Sequence, residues 1–146
     1  LRGFLGKSVP RVRPEAKKTM EAVTTAMDAG YIKACHDLSE GGLGVAVAEM
    51  AFTGGHGIEL YLERVPRSGI QRDDHLLFSE SNSRFLVEVS QRFKDPFETL
   101  IKDVPHAPVG RANGGNRLFI YGLKGNLTVD VSLAELRKAW KGTFGG

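Results

Sequence analysis

Residues 36–44 read His36-Asp37-Leu38-Ser39-Glu40-Gly41-Gly42-Leu43-Gly44 and divide two apolar runs, Ile32 to His36 and Leu43 to Phe52. The first run has the length of a strand. The second (LGVAVAEMAF) has the length of a helix, is apolar nearly all round, and has Glu49 as its one charged member. A helix of that kind must be covered on more than one side, which places it at the centre of a domain. The glycines between the runs sit where the helix should start, although glycine costs roughly 1 kcal/mol against alanine in a helix interior. Two explanations are open. Either backbone comes close to something at Gly41 and Gly42, or their amides face a ligand.

Outward from that junction the chain reads as one α+β domain. Its 146 residues are enough for a real core. With 41% hydrophobic and 25% charged residues, disordered and fibrous classes are excluded. The formal charge of +3 comes from 20 basic and 17 acidic residues that are interleaved, without the dense basic stripe of a nucleic-acid face. The single cysteine, Cys35, excludes an internal disulfide; it suggests a reducing, cytoplasmic setting and reads as a buried structural thiol. No apolar stretch approaches 18 residues, and no signal peptide is visible, so no membrane association is expected. The chain opens on leucine, which hints at a piece of a longer polypeptide.

Residues 1–12, with Gly3, Gly6 and Pro10, read as a linker from an upstream domain, leaving 13–146 as the C-terminal domain. Pro14 suits the first turn of a helix and Gly30 its end, with Ala16, Met20, Ala22, Val23, Ala26 and Met27 at helical spacing. Further strands are expected at Ile58 to Leu62, Phe85 to Val89, Pro108 to Arg111, Arg117 to Tyr121 and Leu127 to Val131. Further helical pieces are expected at Asp74 to Phe78 and Pro96 to Ile101. A final helix is capped by Ser132 and contributes Leu133, Leu136 and Trp140 to the core. Strands and helices mix without strict alternation, so the class is α+β.

Two segments have the residue types of a site. In 36–44, Ser39 or Asp37 can cap the helix, and the unshielded amides of Gly41 and Gly42 suit a phosphate or carboxylate at the positive end of the helix dipole. Asp37 with Glu40 could hold magnesium beside such an anion, because hard oxygen ligands suit that ion. The competing reading is close helix–strand packing. In Ser79-Glu80-Ser81-Asn82-Ser83-Arg84, Glu80 could take a hydroxyl or a metal, Ser81 and Asn82 a polar ligand, and Arg84 a phosphate. The competing reading there is a turn with Arg84 in a salt bridge. Neither segment is a Walker A loop or a GxGxxG fingerprint, and His36 and His56 lack partners at zinc-ligand spacing.

Together these segments resemble a known family. Ala34 to Leu43 (ACHDLSEGGL), continuing through Ala48-Glu49-Met50-Ala51, is similar to the second-half motif of phosphoribosylformylglycinamidine synthases. Leu77 to Val89 (LFSESNSRFLVEV) resembles the LFSESxSRFLVEV segment of the same enzymes, and Leu133 to Trp140 their Leu-x-x-Leu-x-x-Ala-Trp ending. The resemblance implies a fold like the C-terminal domain of aminoimidazole ribonucleotide synthetase, a mixed, largely antiparallel sheet packed with helices. It implies a part in ATP- and magnesium-dependent conversion of formylglycinamide ribonucleotide to its amidine in purine biosynthesis, with no cofactor certain in this domain. The implied partners are the rest of a small-type synthetase subunit, a glutaminase and small accessory subunits. By pseudo-symmetry with the first half of those enzymes, the resemblance puts Asp37 at a magnesium-associated position and Glu80 to Asn82 at substrate-contact positions. Glu80-Ser81-Asn82 departs from the Glu-Ser-Gln of that first half, which leaves open a structural nucleotide site, or none, and a purely architectural role.

Overall fold

A computed structural model describes residues 12–143. The expected linker therefore lies outside the described residues except for Val12, which is exposed. In chain order the elements are α1 (Ala16–Asp28), β1 (Ile32–Asp37), α2 (Gly42–Gly54), β2 (Gly57–Tyr61), α3 (Asp73–Phe78), β3 (Phe85–Val89), α4 (Lys94–Leu100), β4 (Gly110–Asn113), β5 (Arg117–Tyr121), β6 (Leu127–Ser132) and α5 (Leu133–Thr143). The fold is α+β, as expected.

Helix α2 sits at the centre. Gly42, Leu43, Ala46, Val47, Ala51 and Phe52 are buried, and the helix packs on α3 and α5 while touching β1, β2 and β3. Its core face meets Leu60, Leu62, Leu118 and Ile120, each at most 2% exposed. Burying each of those side chains contributes roughly 1.5–3 kcal/mol. Strands β4-β2-β5-β6 make a four-stranded sheet, antiparallel except for the parallel β2–β5 pair. Strands β1 and β3 form a separate antiparallel ribbon in which Asp37 faces Phe85. The strands are mixed and largely antiparallel, as expected, and divide into two sheets.

Local chemistry sets the ends of the helices. After α1, Gly30 adopts φ 71°, with the Gly30 N–H donating to Met27 O and the Tyr31 N–H to Ala26 O, a Schellman stop. At α5 the Ser132 hydroxyl accepts from the Glu135 N–H at 3.2 Å, and the Glu135 carboxylate accepts from the Ser132 N–H at 3.0 Å. That is a reciprocal capping box. The same hydroxyl donates to Glu135 at 2.6 Å, and these Ser132 contacts hold the Glu135 carboxyl below its ordinary range.

Three expectations are corrected. Trp140 is 47% exposed, its ring tilted against Phe52 at 5.9 Å, because α5 lies at the margin of α2 and buries only Leu133 fully. Met20 and Met27 share the helical spacing but are exposed, because α1 packs through its small residues, with Ala16 and Ala26 buried. Cys35 is only partly buried, in the two-stranded ribbon; burial, and then the charge of Asp37, push its thiol pKa up.

Candidate functional site

The two signature segments meet at the start of α2. Pairing of β1 with β3 brings the ends of both together, and the Leu38 N–H donates to Arg84 O at 2.9 Å. The Gly41 N–H donates to Glu80 Oε1 at 2.9 Å. Gly41 and Gly42 adopt φ 76° and 60°, a region glycine enters without strain. A Cβ at Gly42 would stand 2.5 Å from Ser79 O and 2.8 Å from Leu77 O. Glycine is therefore required at 42 by close approach of the chain that leaves α3. Both explanations offered for the glycines have a counterpart here: the backbone is tightly approached, and one amide does face a carboxylate, that of Glu80.

The helix start differs from the expectation of a side-chain cap. Gly41 is the capping residue, no side chain caps the first turn, and Ser39 contributes its carbonyl, which accepts from the Gly42 N–H at 3.2 Å. Asp37 and Ser39 are exposed at this edge. Among the described residues no three His, Cys, Asp or Glu side chains converge as a metal cage. Magnesium seeks several oxygen ligands, more than these described side chains bring together.

In the second segment Arg84 is partly buried and faces its own turn. Its Nε donates to Ser81 O at 3.3 Å, and its terminal nitrogen donates to Ser79 O and, at 3.2 Å, to Ser79 Oγ. These partners are neutral oxygens in place of the expected salt bridge. Burial, and then the charge of Arg13, push the guanidinium pKa down from its ordinary value. Ser83 is the one non-glycine residue with positive φ, 63°, among the described residues, a mark of how tightly the turn is wound. Glu80 and Asn82 are exposed and Ser81 is half-buried. Phe78, just before the turn, is 58% exposed and lies beside Gly44 in the first turn of α2.

A pair not anticipated from sequence lies one turn further in. His36 Nδ1 is 2.6 Å from Asp37 O, and Nε2 is 2.7 Å from Glu49 Oε2. Both partners only accept, so the ring can donate to both at once only as the doubly protonated imidazolium. Burial lowers the His36 pKa, but the Asp37 carbonyl and the Glu49 carboxylate outweigh it and raise the net value above 6.5. The pair lines one wall of a cleft of about 1250 Å³ between the ribbon and the sheet, with Ala16, Val23, Val47, Val87 and Val109 among its walls. Its sequence signal was Glu49, a lone charge in an apolar helix, which demands a partner once half-buried.

Comparison with known proteins bears on the same segments. The family model described as AIR synthase related protein, C-terminal domain, matches residues 2–122. The phosphoribosylformylglycinamidine synthase subunit PurL of Alkaliphilus metalliredigens is 35% identical over 139 residues, 93% of this chain and 18% of that protein. The PurL of Moorella thermoacetica is 36% identical over 142 residues, 95% of this chain and again 18% of the relative. The chain thus spans less than a fifth of the length of these relatives. Among solved structures, T. maritima PurL complexed with FGAR superposes with a TM-score of 0.80 at 22% identity, over 93% of this chain and 23% of that one. The hydrogenase maturation protein HypE of E. coli gives 0.66 at 19% identity, over 90% and 42%. At such identities the structural likeness shows a shared fold.

Proposed function

This chain belongs to the family of AIR synthase related protein C-terminal domains, and from that premise we propose that it is the C-terminal domain of the synthetase subunit of a phosphoribosylformylglycinamidine synthase. The supporting observation is that the two segments resembling that enzyme, 36–44 and 79–84, meet across the start of α2 through the Gly41–Glu80 hydrogen bond. In the whole enzyme ATP would activate the amide oxygen of formylglycinamide ribonucleotide as a phosphorylated leaving group. Ammonia released from glutamine would displace it, giving the amidine. The domain would work in the cytoplasm with the rest of its subunit, a glutaminase and small accessory subunits, and with neither nucleic acid nor membrane.

On this reading Ser39, Ser81 and Asn82 form the polar edge that the domain turns toward the nucleotide- and substrate-binding parts of the subunit, with the buried Gly42 beneath it. Asp37 is the residue nearest to a magnesium role and would supply one carboxylate. No metal- or ATP-dependent step is assigned to this domain, since the Gly41 amide already holds Glu80 and no acidic cage is present among the described residues. That engagement also favours a second reading, in which the domain is an architectural module that docks the other parts of the enzyme.

The test is a domain exchange. This chain replaces the matching segment of Alkaliphilus metalliredigens PurL, and amidine formation from formylglycinamide ribonucleotide, ATP and ammonia is measured. Turnover by the exchanged protein and none by the 146-residue chain alone are the expected results. A folded exchange protein without turnover, or turnover by the chain alone, would sink the proposal. The substitution Asp37→Ala separates the two readings, because unchanged turnover and nucleotide content favour the architectural one.

A further inference from the structure

Glu80 and Arg84 are the residue types that contact phosphates, metals and polar substrates, yet both are turned onto their own chain. We infer that they are positioning residues, which clasp the 79–83 turn onto the first turn of α2, and that neither charge is directed at a nucleotide, substrate phosphate or metal ion. The inference deepens the proposed function by assigning roles within its site, and it rests on that reading only for its activity measurements.

The clasp has two halves. Arg84 gathers the turn: its planar fork reaches Ser79 O, Ser79 Oγ and Ser81 O, three oxygens brought together by the tight winding at Ser83. Glu80, carried by that turn, then spans 39 residues of sequence to accept the Gly41 N–H. Gly42 lets the turn come down on the helix, since any Cβ there would strike Ser79 O and Leu77 O. The Leu38 N–H, donating to Arg84 O, closes the far side. Ser81 and Asn82 are thereby held at the edge of the helix start by a frame of hydrogen bonds internal to the chain.

The two residues should respond to substitution in opposite senses, and this distinguishes a clasp from ligand contacts. Glu80→Gln keeps an oxygen that accepts from Gly41 and loses only the charge. Arg84→Lys keeps the charge and loses the fork. Amide exchange at Gly41 in the 146-residue chain, and turnover in the natural polypeptide that carries it, are the readouts.

In Glu80→Gln turnover is expected to stay within about twofold of the unsubstituted protein, while Gly41 exchange quickens by less than in Glu80→Ala, because a neutral amide oxygen holds the Gly41 N–H more weakly than a carboxylate does. In Glu80→Ala and Arg84→Lys, Gly41 exchange should quicken by about tenfold or more, as the loss of a charge-assisted hydrogen bond implies, and turnover should fall. Unchanged Gly41 exchange in Glu80→Ala would overturn the clasp. So would a Glu80→Gln variant as impaired in turnover as Glu80→Ala, or full turnover in Arg84→Lys. If the unsubstituted polypeptide makes no amidine, the proposed function fails while the exchange measurement still decides the clasp.

Discussion

His36 and Glu49 join the ribbon to the central helix: Nε2 of the imidazole lies 2.7 Å from Oε2 of the carboxylate, across 13 residues of sequence. Each member of the pair relieves the other of a cost, since a half-buried charge without a partner is unfavourable. The pair therefore ties β1 to α2 in a way that depends on protonation.

That dependence has a definite sign. The folded-state pKa of His36 is raised above the ordinary 6.5, so folding favours the protonated ring. The stabilisation is fully present below about pH 6.5 and is lost as pH rises through the higher folded value. Urea midpoints measured from about pH 6 to about pH 9 should fall across that window, and the His36→Gln variant should lose this part of the decline. A midpoint that rises with pH in the native chain, and not in the variant, would contradict the arrangement.

Gly42 and Gly30 share a left-handed backbone but differ in surroundings. At Gly42 a methyl group meets two carbonyl oxygens, and at Gly30 it meets nothing within 4 Å. Gly30→Ala should cost about 1 kcal/mol, the conformational penalty alone. Gly42→Ala should cost about 2–4 kcal/mol, because the clash with backbone adds to it. Chemical denaturation of the two variants side by side checks the order; equal losses would mean that the loop after α3 yields easily.

The capping box at α5 makes a further expectation. Ser132→Ala removes the acceptor for the Glu135 N–H and the donor to its carboxylate, and should destabilise the chain by about 1 kcal/mol. The Glu135 pKa is lowered in the folded state, so its own contribution is present above the ordinary carboxylate range and is lost as pH falls through the folded value. Thermal unfolding should show a smaller acid-induced loss of stability in Ser132→Ala than in the native chain.

Much of this molecule is decided by short-range rules. The apolar run from Leu43 to Phe52 marks a central helix and Arg117 to Tyr121 a strand, and the fold then buries Leu118 and Ile120 of that strand. Gly30 and Ser132 mark helix ends through conformation and capping, both properties of a few consecutive residues. The site segments were legible as well, because their residue types and order are themselves the signal.

Tertiary structure decided what those residues touch. Helical spacing placed Met20, Met27 and Trp140 with core residues, but whether a face is covered depends on which element packs there, and α1 buries Ala16 and Ala26 while Met20 and Met27 stay exposed. Composition offered Glu80 and Arg84 to a ligand, whereas the approach of two loops separated by some 40 residues turned both onto the chain itself. The physical reason is the same in each case. Propensity and periodicity act over a few residues, while burial and hydrogen-bond partnership are settled between segments that only the completed fold brings together.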